Sequence, residues 1–288
     1  MKSNHPGSVL RSRLAQGTVI CPGVFNPLVA RAAARIGFDA CYISGGATSN
    51  VSGYPDVGIL TLTEMCRTIR ETVDACRLPV VVDADTGFGE LESVVRTVVE
   101  YERAGAAGMH LEDQVFPKRC GHLDGKQLIS TEDMMAKVQA ASEHRLNKDF
   151  IVIARTDARG VDGIEAAIER GNSYRQAGAD MIFPEGLESE EEFKKFADQC
   201  PGLLMANMTE FGKTPEIPSG RFAELGYELV IYPVSMLRLA MAHVIRGLEQ
   251  LYSDGTAHSL VDEMLTRSDL YGLLGYDPQQ PWMFDQPS

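Results

Sequence analysis

The regular alternation of short apolar runs with longer amphipathic stretches most constrains the fold of this chain. Eight runs rich in β-branched residues recur along the 288 residues, near 18–21, 40–44, 80–83, 108–112, 150–154, 180–183, 203–206 and 229–232. Such short runs are typical of buried strands. The stretches between them have helical spacing, at 28–36, 62–73, 93–104, 131–144, 163–177, 189–199, 219–225 and 234–252. Eight strand–helix units predict an α/β protein, a single (β/α)₈ TIM barrel over residues 1–288.

The sequence continues beyond the eighth barrel helix. Residues 253–288 contain a helix-like stretch at 260–274 and an apolar group, Trp282-Met283-Phe284, close to the end. Apolar side chains on an otherwise polar segment favour burial against another surface. We therefore expect this C-terminal helical extension to pack on the barrel or on a partner subunit.

Charge and composition exclude several classes of partner. The formal net charge is -13, which disfavours binding to nucleic acid or to anionic membranes, because both need basic patches. The N-terminus lacks the apolar run of a signal peptide, and no stretch approaches the ~20 apolar residues of a membrane span. The six cysteines show no CxxC pairing, so we expect mostly reduced thiols in a cytoplasmic protein.

Polar residues follow the apolar runs at the positions where barrel enzymes collect their catalytic groups. Asp83 and Asp85 are two positions apart, so an extended strand would direct both carboxylates to one face. Asp56 and Glu112 add to this acidic set, and close carboxylates repel unless a proton or cation lies between them. The sequence predicts a hard divalent cation, Mg²⁺ or Mn²⁺. Alternatively, individual carboxylates cap helices or pair with Arg155.

A second set of residues predicts acid–base chemistry on an anionic substrate. Cys120 lies between Lys118-Arg119 and Gly121-His122, and these cationic neighbours are expected to lower its pKa and favour a thiolate. Arg155 offers a planar fork for a carboxylate. Hydrogen-bond donors to a second substrate carboxylate are offered by Ser44, Gly45, Gly46 and Asn207. These groups alone are compatible with retro-aldol cleavage, decarboxylation, enolisation or hydrolysis.

Several motifs together resemble the isocitrate lyase and phosphoenolpyruvate mutase superfamily over nearly the whole chain. They are Tyr42-Ile43-Ser44-Gly45-Gly46, Pro55-Asp56, Asp83-Ala84-Asp85-Thr86-Gly87, His110-Leu111-Glu112-Asp113, Lys118-Arg119-Cys120-Gly121-His122, Ala154-Arg155-Thr156-Asp157, Phe183-Pro184-Glu185 and Asn207-Met208-Thr209-Glu210. The element around Cys120 resembles the lyase branch of the superfamily. Within that branch the chain is similar to the 2-methylisocitrate lyases, whose reaction yields pyruvate and succinate.

The resemblance implies a role for each group. Mg²⁺, or Mn²⁺ in its place, would bind at Asp85, and Asp83, Asp56 and Glu112 would hold its water ligands. Cys120 would protonate the succinate carbanion, and Tyr42 is a candidate for the base that removes the hydroxyl proton. The pyruvate end of the substrate would be held by Ser44, Gly45 and Gly46. The other end would be held by Gly121, His122, Glu185, Asn207 and Arg155, of which Arg155 would also be catalytic. Lys118 would be a further substrate-binding residue.

The resemblance also implies an assembly and a mobile element. Members of the family form homotetramers in which the eighth barrel helix is swapped between subunits, and the segment Phe116–Lys126, here called the Cys120 loop, would close over the substrate. The segments 22–27 and 47–52 are equally similar to 2,3-dimethylmalate lyases and oxaloacetate hydrolases. These two activities, oxaloacetate decarboxylation and a non-catalytic barrel scaffold are the alternatives.

Overall fold

A computed structural model of the chain describes residues 5–281. Each predicted strand is confirmed, because each observed strand overlaps its predicted run. The eight strands are β1 Val19–Pro22, β2 Cys41–Ile43, β3 Val80–Asp83, β4 Gly108–Glu112, β5 Ile151–Thr156, β6 Met181–Pro184, β7 Met205–Asn207 and β8 Leu229–Tyr232.

The strands follow one another around a ring, and all of their pairings are parallel. Strands β2 to β6 pair in chain order, and β8 pairs with both β7 and β1. Single bridges, Gly23–Tyr42 and Ile182–Leu204, join these two groups of strands. The predicted (β/α)₈ barrel is confirmed by this arrangement. Its parallel strands direct their carboxyl ends to one mouth of the barrel.

Helices connect the strands, and further helices precede β1 and follow β8. They are α1 Pro6–Leu14, α2 Pro27–Ile36, α3 Gly45–Val51, α4 Leu62–Cys76, α5 Leu91–Arg103, α6 Thr131–His144, α7 Arg159–Asp162, α8 Ile164–Gln176, α9 Glu190–Gln199, α10 Ser219–Leu225, α11 Ser235–Asp254 and α12 Arg267–Leu274. Helices α1, α3 and α7 have no counterpart among the predicted helices. No helix within residues 5–281 is long and apolar enough to cross a bilayer.

Helix α1 closes the end of the barrel opposite to the mouth. Its Leu10 and Leu14 belong to the apolar cluster that fills the barrel interior. Its Arg11 donates to the carbonyl of Asp149 at 3.0 Å and to the carboxylate of Asp180 at 2.8 Å. Both acceptors precede strands, so they mark the amino-terminal end of the barrel. The functional groups are thereby confined to the other end.

The C-terminal segment differs from the predicted continuous helix. A 3₁₀ helix at His258–Glu263 is followed by α12, and a capping box between Thr266 and Asp269 starts the new helix. Helix α12 lies against α2, where Arg31 donates to the carbonyl of Leu274 at 3.0 Å. The prediction of one stretch over 260–274 is therefore wrong. The apolar group Trp282-Met283-Phe284 lies outside the described residues.

Candidate active site

Four carboxylates gather at the barrel mouth around one lysine; we call this set the carboxylate cluster. Asp83 ends β3 and Glu112 ends β4, and both are buried. Asp85 follows β3 with a φ of 45°, a left-handed conformation that is uncommon for a residue with a side chain. The remaining members are Asp56 and Lys118.

Two glycines allow the carboxylates to approach α3 closely. A methyl group added at Gly45 would lie 2.9 Å from Oδ2 of Asp83, and one added at Gly46 would lie 3.0 Å from Oδ2 of Asp56. The Gly45 amide donates to Asp83 at 3.0 Å. The hydroxyl of Ser44 caps α3 by accepting from the Ala47 amide at 3.2 Å. The predicted Ser44-Gly45-Gly46 element thus lies beside the carboxylate cluster.

Lys118 supplies the positive charge of the carboxylate cluster. Its ammonium contacts the carboxylate of Asp56 and lies 2.9 Å from Oδ1 of Asp85. The lysine is 3% exposed, and its acidic neighbours outweigh burial in raising its pKa well above the usual value. The structure places Lys118, predicted as a substrate-binding residue, among the carboxylates.

The carboxylate cluster has more oxygen atoms than internal donors. Among the described residues, Oε1 and Oε2 of Glu112 are buried and accept no hydrogen bond, and Oε2 lies 3.4 Å from Nη1 of Arg155. Burial raises the pKa of Glu112 well above its usual value. Buried carboxylate oxygens without a hydrogen-bond donor fit a hard cation with water ligands. No group of three or more His, Cys, Asp or Glu side chains within residues 5–281 is placed to hold a metal ion by itself, so water would have to supply most of the ligands.

The two neighbouring aspartates have opposite pKa shifts. Burial and the charge of Asp83 raise the pKa of Asp85 to about 6, against the opposing effect of Lys118. Burial also acts to raise the pKa of Asp83, but His110, Lys118 and Arg155 outweigh it, and the pKa is lowered. The second negative charge of the pair is therefore less favourable than the first, as expected for two carboxylates that lie close together.

Tyr42 lies deeper than the carboxylates and is held by His110. The two side chains are 2.7 Å apart between Oη and Nε2, and both are buried. Burial raises the pKa of Tyr42 well above 10 and lowers that of His110 to about 4. A neutral phenol beside a neutral imidazole is a poor proton acceptor. These features oppose the predicted use of Tyr42 as a base.

A second set of charges, which we call the arginine cluster, lies across the mouth. Arg155 lies next to the last residue of β5 and binds Asp157 with two hydrogen bonds, of 2.9 and 3.1 Å. Its Nη1 lies 3.4 Å from Glu112 and 3.9 Å from Glu185, and its guanidinium lies over the ring of Phe183. Burial acts to raise the pKa of Asp157, but Arg155 and Lys126 together hold it below its usual value.

Glu185 organises the other members of the arginine cluster. It lies 2.8 Å from Nε2 of His122 and accepts from the Asn207 amide at 3.1 Å. A methyl group at Gly121 would lie 2.4 Å from Arg155 and 2.5 Å from Glu185, so the backbone of the Cys120 loop rests directly on this cluster. Hence the structure brings His122, Arg155, Glu185, Gly121 and Asn207 together as predicted.

Cys120 lies between the two clusters. Of the six cysteines, all within the described residues, the other five are buried and Cys120 is partly exposed. Burial raises its pKa, and charges from both sides act on it, Asp56 on one side and Arg155 and Glu185 on the other. The predicted lowering of the Cys120 pKa is wrong, because Lys118 faces the carboxylates and Arg119 donates to the carbonyl of Asp124 at 3.3 Å.

The sequence reasoning missed three buried groups that support the site. Lys126 bridges the Cys120 loop and Asp157, and Asp113 accepts from the Asp157 amide at 2.9 Å. His110 holds Tyr42, as described above. The pairing of Arg155 with Asp157 was predictable from their spacing, since residues two apart on a strand share a face. Lys126 is distant in sequence from Asp157, and no local pattern connects them.

The sequence and fold of this chain are similar to those of several known proteins. The family model described as phosphoenolpyruvate phosphomutase matches residues 10–252. A 2-methylisocitrate lyase from Aeropyrum pernix is 49% identical over 94% of this chain and 88% of its own. A crystal structure of 2,3-dimethylmalate lyase has a TM-score of 0.88 and 37% identity, covering 94% of this chain and 91% of that one.

A structure of phosphonopyruvate hydrolase in complex with oxalate and Mg²⁺ is also similar. Its TM-score is 0.84 at 29% identity, covering 94% of this chain and 95% of that one. The family model and the first relative each cover most of the chain. The chain belongs to the phosphoenolpyruvate mutase and isocitrate lyase superfamily.

Proposed function

We propose that this protein is a metal-dependent carbon–carbon lyase that cleaves 2-methylisocitrate to pyruvate and succinate. The observation that carries the proposal is the position of Cys120 on its loop, between Lys118, which contacts the carboxylate cluster, and Gly121, which rests on the arginine cluster. A proton donor is needed where the new carbanion forms, and that carbon is the succinate carbon at the broken bond.

The residues of the carboxylate cluster fit a bound Mg²⁺ or Mn²⁺, with Asp85 as the direct ligand and Asp83, Asp56 and Glu112 binding its water molecules. When bound, the cation supplies Lewis acidity to the oxygens of the fragment that becomes pyruvate. Ser44, Gly45 and Gly46 line the same end. Lys118 reduces the repulsion among the carboxylates through its contacts with Asp56 and Asp85.

The arginine cluster would hold the fragment that becomes succinate. This fragment carries two carboxylates, and Arg155, His122 and Asn207 offer donors to both. The amide nitrogen of Asn207 donates to both carboxylate oxygens of Glu185, at 3.1 and 3.2 Å, and this contact fixes how the amide is directed. Because Arg155 and Glu185 pack against Gly121, binding at this end also positions the backbone next to Cys120.

Proton transfer completes the proposed reaction. As the bond between the two fragments breaks, the hydroxyl of the substrate releases its proton to solvent in the barrel mouth and becomes the carbonyl of pyruvate. The electron pair remains on the carbon of the succinate fragment, which takes the proton from Sγ of Cys120. The raised pKa keeps the thiol protonated, the form that a proton donor requires. Solvent then returns a proton to the thiolate.

The 2,3-dimethylmalate lyase structure supports a second candidate substrate. Dimethylmalate leaves a fragment with one carboxylate, which would need fewer donors than the arginine cluster provides. The test is keto-acid release with Mg²⁺ from 2-methylisocitrate, 2,3-dimethylmalate, isocitrate and oxaloacetate in parallel, with a chelator control. The highest kcat/KM on 2-methylisocitrate would support the proposal, and a preference for any other substrate would overturn it.

We also propose a homotetramer in which α11 is swapped between subunits. Only Ser235 and Leu237 of this 20-residue helix are buried, whereas Leu239, Ile245 and Leu248 are each at least half exposed. Such an apolar surface on one helix calls for a covering partner. Light scattering should give four times the chain mass of 31.5 kDa; a monomer would contradict the proposal.

The reduced cysteines support a cytoplasmic location.

A further inference from the structure

The ammonium of Lys126 joins the Cys120 loop to the partner of Arg155. It donates to the carbonyl of Gly121, the residue next to Cys120, and to Oδ1 of Asp157 at 2.8 Å. The same carboxylate holds Arg155 through two hydrogen bonds. One buried lysine, 8% exposed, thus connects the backbone beside the thiol with the guanidinium of the arginine cluster.

Other buried contacts also hold this loop: Lys118 contacts Asp56 and Asp85, and Nε2 of His122 lies 2.8 Å from Glu185. At the base of the loop, the backbone amide of Val115 donates to the carbonyl of Gln127 at 2.8 Å. The amide of Ile129 donates to the carbonyl of Asp113 at 2.9 Å. Toward the mouth, Lys213 contacts Asp124 at 2.6 Å on the surface. A surface ion pair holds a loop only weakly. Breaking a buried pair costs far more, because it leaves an uncompensated charge.

We propose that Lys126 is a positioning residue that holds the Cys120 loop closed and couples the position of the thiol to that of Arg155. The expected change in kinetics rests on the proposed function, whereas the expected change in the position of the loop does not. Without the ammonium, the Gly121 carbonyl loses its buried donor and the loop opens. Arg155 keeps both hydrogen bonds to Asp157, so substrate binding is affected less than proton delivery.

The experiment compares Lys126→Met and Lys126→Gln with Lys213→Met as the matched control. The rate at which iodoacetamide modifies Cys120 is followed by peptide mass spectrometry, with the five buried cysteines as internal references for global unfolding. We expect Lys126→Met to raise the Cys120 rate by at least about tenfold with the other cysteines unchanged. Lys126→Gln, which keeps one donor, should show an intermediate rise. Lys213→Met should change the rate by no more than about fivefold.

Kinetics on 2-methylisocitrate give a second readout. Lys126→Met should lower kcat by at least about tenfold with KM changed by less than about threefold, because the thiol is misplaced while Arg155 is retained.

Cys120 reactivity equal to wild type in both Lys126 variants would overturn the proposal, as would equal effects of Lys126→Met and Lys213→Met. If Lys126→Met does not fold, Lys126→Gln decides alone. Thiol modification needs no substrate, so failure of the proposed reaction would leave this test intact.

Discussion

The carboxylate cluster and the arginine cluster face each other across the barrel mouth, yet their charges are balanced in different ways. In the carboxylate cluster, four acidic residues share one ammonium, and the buried oxygens of Glu112 accept no hydrogen bond within the described residues. In the arginine cluster, Asp157 is matched by Arg155 at 2.9 Å and Lys126 at 2.8 Å, and Glu185 is matched by His122 at 2.8 Å. The first therefore depends on a ligand for its balance, whereas the second is organised before the substrate arrives.

The largest effect is expected from Asp85→Asn, which removes the proposed direct ligand. Loss of the cation would remove several kcal/mol of transition-state stabilisation, equivalent to a fall in kcat/KM of about 10³-fold or more. Steady-state kinetics with saturating Mg²⁺, together with calorimetric titration of the metal, would measure it. Activity within about tenfold of wild type would show that the carboxylate cluster does not bind the required ion.

A loss of stability is expected instead from Asp157→Ala in the arginine cluster. The substitution leaves the buried guanidinium of Arg155 and the ammonium of Lys126 without their shared partner, which typically costs about 3–5 kcal/mol. The free energy of unfolding from denaturant titration of the metal-free protein should fall by that amount. In the same assay Asp85→Asn should not be destabilised. Equal losses in both variants would remove the distinction between the clusters.

The pH dependence of stability should reveal the imbalance in the carboxylate cluster. The folded pKa of Asp85, about 6, is above the ordinary value of 3.8, so the folded state binds more protons between these values. The contribution of this group to metal-free stability is thus fully present below about 3.8 and is lost as pH rises to about 6. Wild type minus Asp85→Asn should show this decline in urea titrations. A flat difference would contradict the pKa shift.

The smallest effect on metal-free stability is expected from Glu112→Gln. Burial raises the pKa of Glu112 well above its usual value and so favours the neutral acid, which the neutral amide resembles; the unfolding free energy should change by less than about 1 kcal/mol. Binding of Mg²⁺, which favours the ionised carboxylate, should weaken by about tenfold or more. Unchanged Mg²⁺ affinity by calorimetry would exclude Glu112 from the site.

The barrel was predictable because each of its eight buried strands is a short apolar run in the sequence, whichever residues it contacts in the fold. Helix α3 escaped prediction because Gly45-Gly46-Ala47-Thr48 has weak helix propensity, and the turn is stabilised by the Ser44 cap. Helix α1 carries only Leu10 and Leu14 on its buried face, too few to give a clear period.

The candidate site was predictable as a set of residues, whereas its charge states were not. Strand-end position brought Asp83, Glu112 and Arg155 together as expected. The pKa of Cys120 could not be inferred from neighbouring residues, since the side chain of Lys118 is directed at Asp85, more than thirty positions away in sequence. Pairings of this kind depend on the folded loop, and no local pattern encodes them.

The central claim is that Cys120, held between the two clusters, delivers the proton that completes cleavage. The most direct test is pyruvate formation from 2-methylisocitrate and Mg²⁺ by the wild-type protein and by Cys120→Ser, with folding of both checked by thermal unfolding. We predict turnover by the wild type and a loss of at least about 10²-fold in the folded variant. Equal turnover by the two proteins, or no cleavage by the wild type, would contradict the claim.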